Sequence, residues 1–435
     1  MAATQRIAAG AAVAAAVAAS LAGCTTGTGG TDGPREGAPG PQRGEWAPAP
    51  RKGEQAPAPE GAVRLIGDGS TAFTGAQPYL PRPERLKPGR KPPQFVVFSW
   101  DGAGEDSQRL FSHFRKVSKA NNATMTYFLS GVYLLPDDKR DLYKPPQHSP
   151  GRSDIGFNDR QGIAATVKQL RLAWLEGNEI GTHFNGHFCG KGGGVGEWSV
   201  EEWKDEIAQA KQFVKTWKGN TGMKTAAPLP FDYDKELIGA RTPCLEGREN
   251  FMKAARDLGF RYDTSGVDNQ VWPEKQEGLW DLSMQLVPFP GHSYEQLAMD
   301  YNFMVNQSGT ATQGDPDKHA SWGDQMRDGL LGGFRRAYDG NRAPLIIGNH
   351  FESWNGGAYM RAVEEVVETV CTKEDVRCVS FRQLADWLDA QEPRVLAKLR
   401  TLEVGESPRQ GWETFLSGHP APAPKGVPGA PPARQ

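Results

Sequence analysis

Charge of either sign is in no surplus: 50 Lys and Arg stand against 52 Asp and Glu in 435 residues, a net charge of -2. No cation excess remains for a phosphate track, which argues against a nucleic-acid binder. Apolar runs long enough to cross a membrane are also missing. Ile7 to Ala22 is continuously small and apolar, but it is 16 residues long and mostly Ala, short of the roughly 20 that a spanning helix needs. It reads as a secretory core segment behind Arg6. Cysteine is scarce as well, with 5 residues.

Gly and Pro are abundant, at 52 and 33, and they concentrate at the ends. Residues 1–62 and 408–435 hold 29 of them in 90 positions. Such composition cannot bury a core, so a globular middle with loose tails is expected. The apolar segment ends in Leu21-Ala22-Gly23-Cys24, which resembles the lipobox of bacterial lipoproteins, where the Cys is lipidated. That implies an exported chain anchored by Cys24 to the outer face of the cytoplasmic membrane. An ordinary secreted protein is the alternative. The expected division is 1–24 signal peptide, 25–90 Pro/Gly-rich linker, 91–392 catalytic-type domain, and 393–435 short helix with a Pro/Ala-rich tail.

With Cys24 set aside, Cys189, Cys244, Cys371 and Cys378 remain, an even number in a chain that leaves the reducing cytosol. Cys371 and Cys378 could close a short loop, and Cys189 with Cys244 would link two loops near candidate site residues. Four reduced, buried thiols are the other reading.

Gln94 to Trp100 is β-branched and aromatic without strict alternation, as expected of a strand buried on both faces. Further strands are predicted at Ala123–Leu129, at Glu179–Thr182, and over 260–264, 344–348 and 376–380. Helices are predicted at 107–120, 164–176, 250–258, 359–370 and 381–389. A further helix follows Ser199, whose partner Glu202 makes a capping box. Strands alternating with helices indicate an α/β class, a parallel barrel or doubly wound sheet, with chemistry at the strand ends.

The polar residues lie at those ends. His183 and His187 follow a strand at a spacing that lets two imidazoles converge on one metal ion if the segment makes a helical turn. Asp101 and Asp263 end strands, Arg241 lies in Gly239-Ala240-Arg241-Thr242-Pro243, and His350 follows Leu345-Ile346-Ile347. Taken singly, an Asp after a strand caps a turn, an Arg pairs on the surface, and a His is satisfied locally. Together they supply a base, a cation to hold it ionised, two metal ligands and an acid. That is the inventory for metal-assisted hydrolysis of an amide or ester.

Over about Gln94 to Asp389 the sequence resembles the polysaccharide deacetylases with a NodB-homology domain, and within them the chitin deacetylase-like branch. The resemblance is carried by Val96-Val97-Phe98-Ser99-Trp100-Asp101, the segment 176–187 that ends in the His pair, Arg241-Thr242-Pro243-Cys244-Leu245, and Gly259 to Ser265. Asn341 to His350 and Asp375 to Ser380 resemble the closing elements. The resemblance implies a distorted (β/α) barrel and a divalent metal, usually zinc. It makes His183 and His187 ligands, Asp101 the base, Arg241 its orienting partner and His350 the acid, with Asp263 at most supporting.

One departure matters. The family's first motif has two adjacent Asp, the second a metal ligand, and Gly102 stands in that slot. Three outcomes follow: Asp101 binds the metal itself, Glu105 or Asp106 reaches back from the loop, or the site binds metal poorly. Phe184, where the family has Ser or Thr, is a lesser departure. The leading expectation is a membrane-tethered hydrolase that removes acetyl groups from a cell-wall or chitin-like polysaccharide, with no nucleic-acid or protein partner. Its rivals are a non-catalytic carbohydrate-binding lipoprotein and a hydrolase of small amides or esters.

Overall fold

The computed structural model describes residues 63–417. Cys24 and the segment proposed as signal peptide lie outside them. No helix among the described residues is long and apolar enough to cross a membrane.

The described residues contribute fourteen strands: β1 Arg64–Ile66, β2 Thr71–Phe73, β3 Gln94–Asp101, β4 Thr126–Leu129, β5 Glu179–Thr182, β6 Gly239–Ala240, β7 Tyr262–Asp263, β8 Val267–Asp268, β9 Lys275–Gln276, β10 Leu279–Asp281, β11 Met284–Pro288, β12 Glu295–Leu297, β13 Leu345–His350 and β14 Val376–Cys378. Their helices are α1 Leu110–Ala120, α2 Arg160–Leu175, α3 Val200–Thr221, α4 Tyr233–Glu236, α5 Arg248–Asp257, α6 Asp300–Ser308, α7 His319–Asp339, α8 Trp354–Val370, α9 Phe381–Ala390, α10 Pro393–Leu399 and α11 Gly411–Leu416. The main sheet runs β13-β3-β4-β5-β6-β7-β10-β9, with β14 also paired to β3. All its pairs are parallel except β9 with β10. The result is an α/β fold with an open, curled, half-barrel sheet.

β3 shows why the sheet needs cover on both faces. Its eight residues are all buried, and alternate side chains enter two different cores. Val96, Phe98 and Trp100 join the core under the helices, whereas Phe95 and Val97 join the one under α9 to α11. Side chains alternate across a strand, so an apolar run without alternation requires two apolar layers.

Two boundaries drawn from composition are corrected here. Residues 63–90 were expected to be linker, yet β1 and β2 pair antiparallel and the Ala72 amide donates to the Leu229 carbonyl at 2.8 Å. The Trp217 indole N–H also donates to the Ser70 carbonyl at 2.8 Å. The short helix expected from 393 is present as α10, but the packed body continues beyond it, with Leu396, Leu399, Leu402, Phe415 and Leu416 closing the second core. Sparse apolar residues among Gly and Pro conceal a segment that borrows its core from the body.

Candidate functional site

The β-strand ends place the candidate residues. Asp101 ends β3 and His350 ends β13, and the two are direct partners in the parallel register. His183 follows β5 by one residue and Arg241 follows β6 by one, with Thr182 paired to Ala240 between them.

Asp101 and Arg241 form a buried ion pair, Arg241 Nη1 donating to Asp101 Oδ1 at 3.0 Å with side chains 3% and 0% exposed. Arg241 is itself fixed: Nε donates to the Thr264 carbonyl at 3.2 Å, Nη2 to Thr264 Oγ1 at 3.1 Å, and its guanidinium lies over Phe128. Burial pushes the Asp101 pKa up, but Arg241, helped by His183 and His350, holds it below the ordinary carboxylate value. At neutral pH the carboxylate is therefore ionised and has one oxygen outside the Arg241 bond.

The two His near it are neutral. His183 Nδ1 lies 2.9 Å from the Arg241 carbonyl oxygen. That acceptor fixes the proton on Nδ1 and leaves the Nε2 lone pair free. Burial lowers the His183 pKa against the pull of Asp101. Burial, with His183 and His350 adding to it, pushes His187 down to about 3.

The segment between them is not the helical turn that the spacing implied. Phe184 and His187 sit at φ 61° and 58°, and the bend is held by Phe184 N–H on Thr182 Oγ1 at 2.9 Å and Gly186 N–H on Tyr143 Oη at 3.1 Å. Phe184 fills the core between Trp203 and Phe251, which a Ser or Thr could not. The two imidazole centroids still come within 5.0 Å.

His350 is opposite in character. Its Nδ1 lies 2.8 Å from Asp300 Oδ1, and its backbone N–H donates to Asp300 Oδ2 at 2.7 Å. Burial works against charge, but Asp300 overrides it and raises the His350 pKa to about 9. The site thus combines an ionised carboxylate, two neutral imidazoles and an imidazolium whose Nε2 proton is free to leave.

The reserve carboxylates do not complete a metal cage. Glu105 accepts from the Ser112 amide at 2.8 Å and from its hydroxyl at 3.1 Å, serving the first turn of α1. Asp106 is exposed and accepts the Gln108 amide at 2.8 Å. Asp263 is paired with Arg248 at 2.5 Å and accepts the Ser265 amide at 3.0 Å, while Ser265 Oγ accepts from the Thr242 amide. Local donors engage both Asp106 and Asp263 in this arrangement. Asp263 thereby braces the turn after Arg241 through Ser265.

Among the described residues one group brings three ligand atoms within 4.8 Å of each other: a His187 ring nitrogen and the sulfurs of Cys189 and Cys244. That cluster has the donors of a divalent-metal site. Cys189 is joined to Cys244 and Cys371 to Cys378, and a disulfide sulfur is not the thiolate that binds metal. In the paired state the donors that fit a cation are the neutral imidazoles of His183 and His187, with the charge of Asp101 beside them.

Two features escaped the sequence reading. Asp300, the first residue of α6, gives no local signal because its partner is reached only through the fold. Tyr133 lies over the loop after Asp101, its ring within 3.7 Å of where a Gly102 Cβ would stand.

Fold and site together define an open-sheet α/β protein whose strand ends hold opposed acid and base groups. No family model matches the chain, and no curated protein is similar to it in sequence. Its course is similar to those of solved structures. One is a candidate polysaccharide deacetylase of Mycobacterium smegmatis (15% identity, TM-score 0.44, covering 71% of this chain and 95% of that one). Another is a peptidoglycan deacetylase of Bacillus subtilis (12%, 0.36, 71% and 96%). A third is a family 4 acetyl xylan esterase of Clostridium thermocellum solved with cobalt (13%, 0.36, 67% and 90%). Likeness at this level concerns the path of the chain, and the chemistry below rests on the residues themselves.

Proposed function

We propose that the protein is a metal-assisted hydrolase that removes N-acetyl groups from a polysaccharide, exported and held at the membrane by lipid on Cys24. The observation that carries this reading is the opposition of Asp101 and His350 at paired strand ends. One is held ionised by Arg241, the other protonated by Asp300. Asp101 takes a proton from the attacking water. His350 Nε2 gives its proton to the departing amine, so that amide and water become amine and acetate. His183 and His187 would hold the cation, for which zinc suits imidazole donors. A divalent cation there supplies Lewis-acid polarisation of the acetyl carbonyl.

The test is acetate release from N-acetylated glycan oligomers with zinc present, comparing the full chain with Asp101→Asn and His350→Gln. Release that falls at least a hundredfold in both variants, with melting curves little changed, supports the reading. No release above that of Asp101→Asn overturns it.

A non-catalytic carbohydrate-binding lipoprotein is the second reading, and Gly102 favours it, because no carboxylate stands where a third ligand would. About one zinc per chain after dialysis, lost in His183→Ala, supports the hydrolase. Glycan binding with neither zinc nor acetate release supports the binder.

A further inference from the structure

Beside the candidate site lies a cleft of about 470 Å³ between α1 and the start of α8, a size suited to a sugar residue or two. It opens off the same strand ends: its mouth is bridged by the Ser353 hydroxyl on the Gln108 side chain, three residues past His350 and seven past Asp101. Its walls carry an excess of positive charge. Arg109 at the start of α1, Lys116 on α1 and Arg361 on α8 line it, all three exposed. The lining acid, Glu364, is taken up by His113 at 2.9 Å. Arg361 donates to the Gly356 carbonyl at 2.6 Å, an uncharged partner. No carboxylate pairs with Arg109, Lys116 or Arg361 among the described residues. Three exposed cations line one concave wall with none of them in a salt bridge among the described residues, a surplus of positive charge that favours an anion there.

We propose that this cleft is an anionic subsite, taking a carboxylate or phosphate group carried by the same polymer whose acetylated residue occupies the candidate site. The proposal rests on the hydrolase reading only for the polymer's position. It adds that the preferred substrate is an acidic glycan and not a neutral one.

The experiment compares binding of two matched N-acetylated glycan oligomers to the full chain by calorimetry, one neutral and one with a carboxylate on each repeat. Binding is measured at low and high salt, with acetate release followed in parallel. The acidic oligomer should bind about tenfold tighter at low salt, with the preference shrinking at high salt. It should vanish in Arg109→Gln/Lys116→Gln and weaken in Arg361→Gln, while the neutral oligomer binds as before. Equal binding of the two oligomers, or a preference that survives in the double variant, overturns the proposal. A third arm uses inorganic phosphate: phosphate that binds as tightly as the acidic oligomer, and only with the cations intact, shows a free-anion site and overturns the polymer assignment. Preference without acetate release would remove the hydrolase reading and keep the subsite, and release without preference would do the reverse.

Discussion

His350 Nδ1 lies 2.8 Å from Asp300 Oδ1, and the same carboxylate accepts the His350 backbone N–H through its other oxygen at 2.7 Å. One buried side chain thus sets the ring's orientation and its charge. With His350 raised to about 9, a reaction that needs His350 protonated and Asp101 ionised should run across neutral pH, with an acid limb set by Asp101 and an alkaline limb near 9. Asp300→Asn keeps an acceptor for the backbone but removes the charge, and should bring the alkaline limb down toward the ordinary His value of about 6.5. A pH profile of acetate release reads this directly. An alkaline limb left in place would show that Asp300 does not set the charge of His350.

What was legible followed from local chemistry. β3 was readable because its apolar run meets two cores, and α3 because Ser199 and Glu202 form both halves of a capping box, as the structure has it. His350 stood out by following the apolar run Leu345-Ile346-Ile347, and Arg241 by the segment Gly239-Ala240-Arg241-Thr242-Pro243 around it. The stretch from 265 to 340 was opaque. There α7 is interrupted by glycines that propensity reads as breakers. Gly329 and Gly333 are required by packing: a Cβ at either would come within 2.5 Å of the Pro288 carbonyl or 2.4 Å of Val287. Asp300 lies in the same stretch, and its role exists only through contact with a residue 50 positions away.

Gly102 should accept a carboxylate. A Cβ there would meet Tyr133 Oη at 3.5 Å and Cε2 at 3.7 Å, ordinary contacts, and the cost lies in φ at +68°. Asp tolerates that region better than most residues, so Gly102→Asp should lose about 1 kcal/mol of stability. In return it places a charged donor beside His183 and His187 and should tighten zinc at least tenfold in a calorimetric titration. Gly102→Asn carries the same backbone cost without the charge. Equal zinc affinity in the two variants would show that position 102 does not face the metal.

The two disulfides should differ in worth. Cys189–Cys244 spans 55 residues and Cys371–Cys378 spans 7. On loop entropy alone the first contributes about 4 kcal/mol and the second about 2 kcal/mol. Urea unfolding of the two double Cys→Ser variants should show that order. Cys189 Sγ also lies 3.6 Å from His187 Nδ1. Opening the first bridge should therefore lower activity, whereas opening the second should not. Reduction of the native protein by a dithiol, followed by its removal, should raise zinc affinity through the His187, Cys189 and Cys244 cluster, and Cys189→Ser/Cys244→Ser should lack that gain. Activity lost equally in both Cys→Ser variants would mean that the first bridge acts on the fold alone.

Glu206 makes the fold itself sensitive to pH. It is wholly buried on α3, accepts the Tyr143 hydroxyl at 3.0 and 3.1 Å, and has burial push its pKa from 4.5 to about 7 despite those bonds. In the folded state the carboxyl keeps its proton through a range where the unfolded chain has lost it. The folded state then binds more protons between about 4.5 and 7, so stability is fullest below that window and declines as pH rises through it. The loss approaches about 3 kcal/mol by pH 8. Glu206→Gln keeps the contact with Tyr143 without an ionisable proton, and its unfolding free energy should vary less across the same range. Tyr143 also receives the Gly186 amide at 3.1 Å, which ties Glu206 to the bend that carries His187. A native protein whose denaturation midpoint is the same at pH 5 and pH 8 would show that this carboxyl is already ionised in the fold.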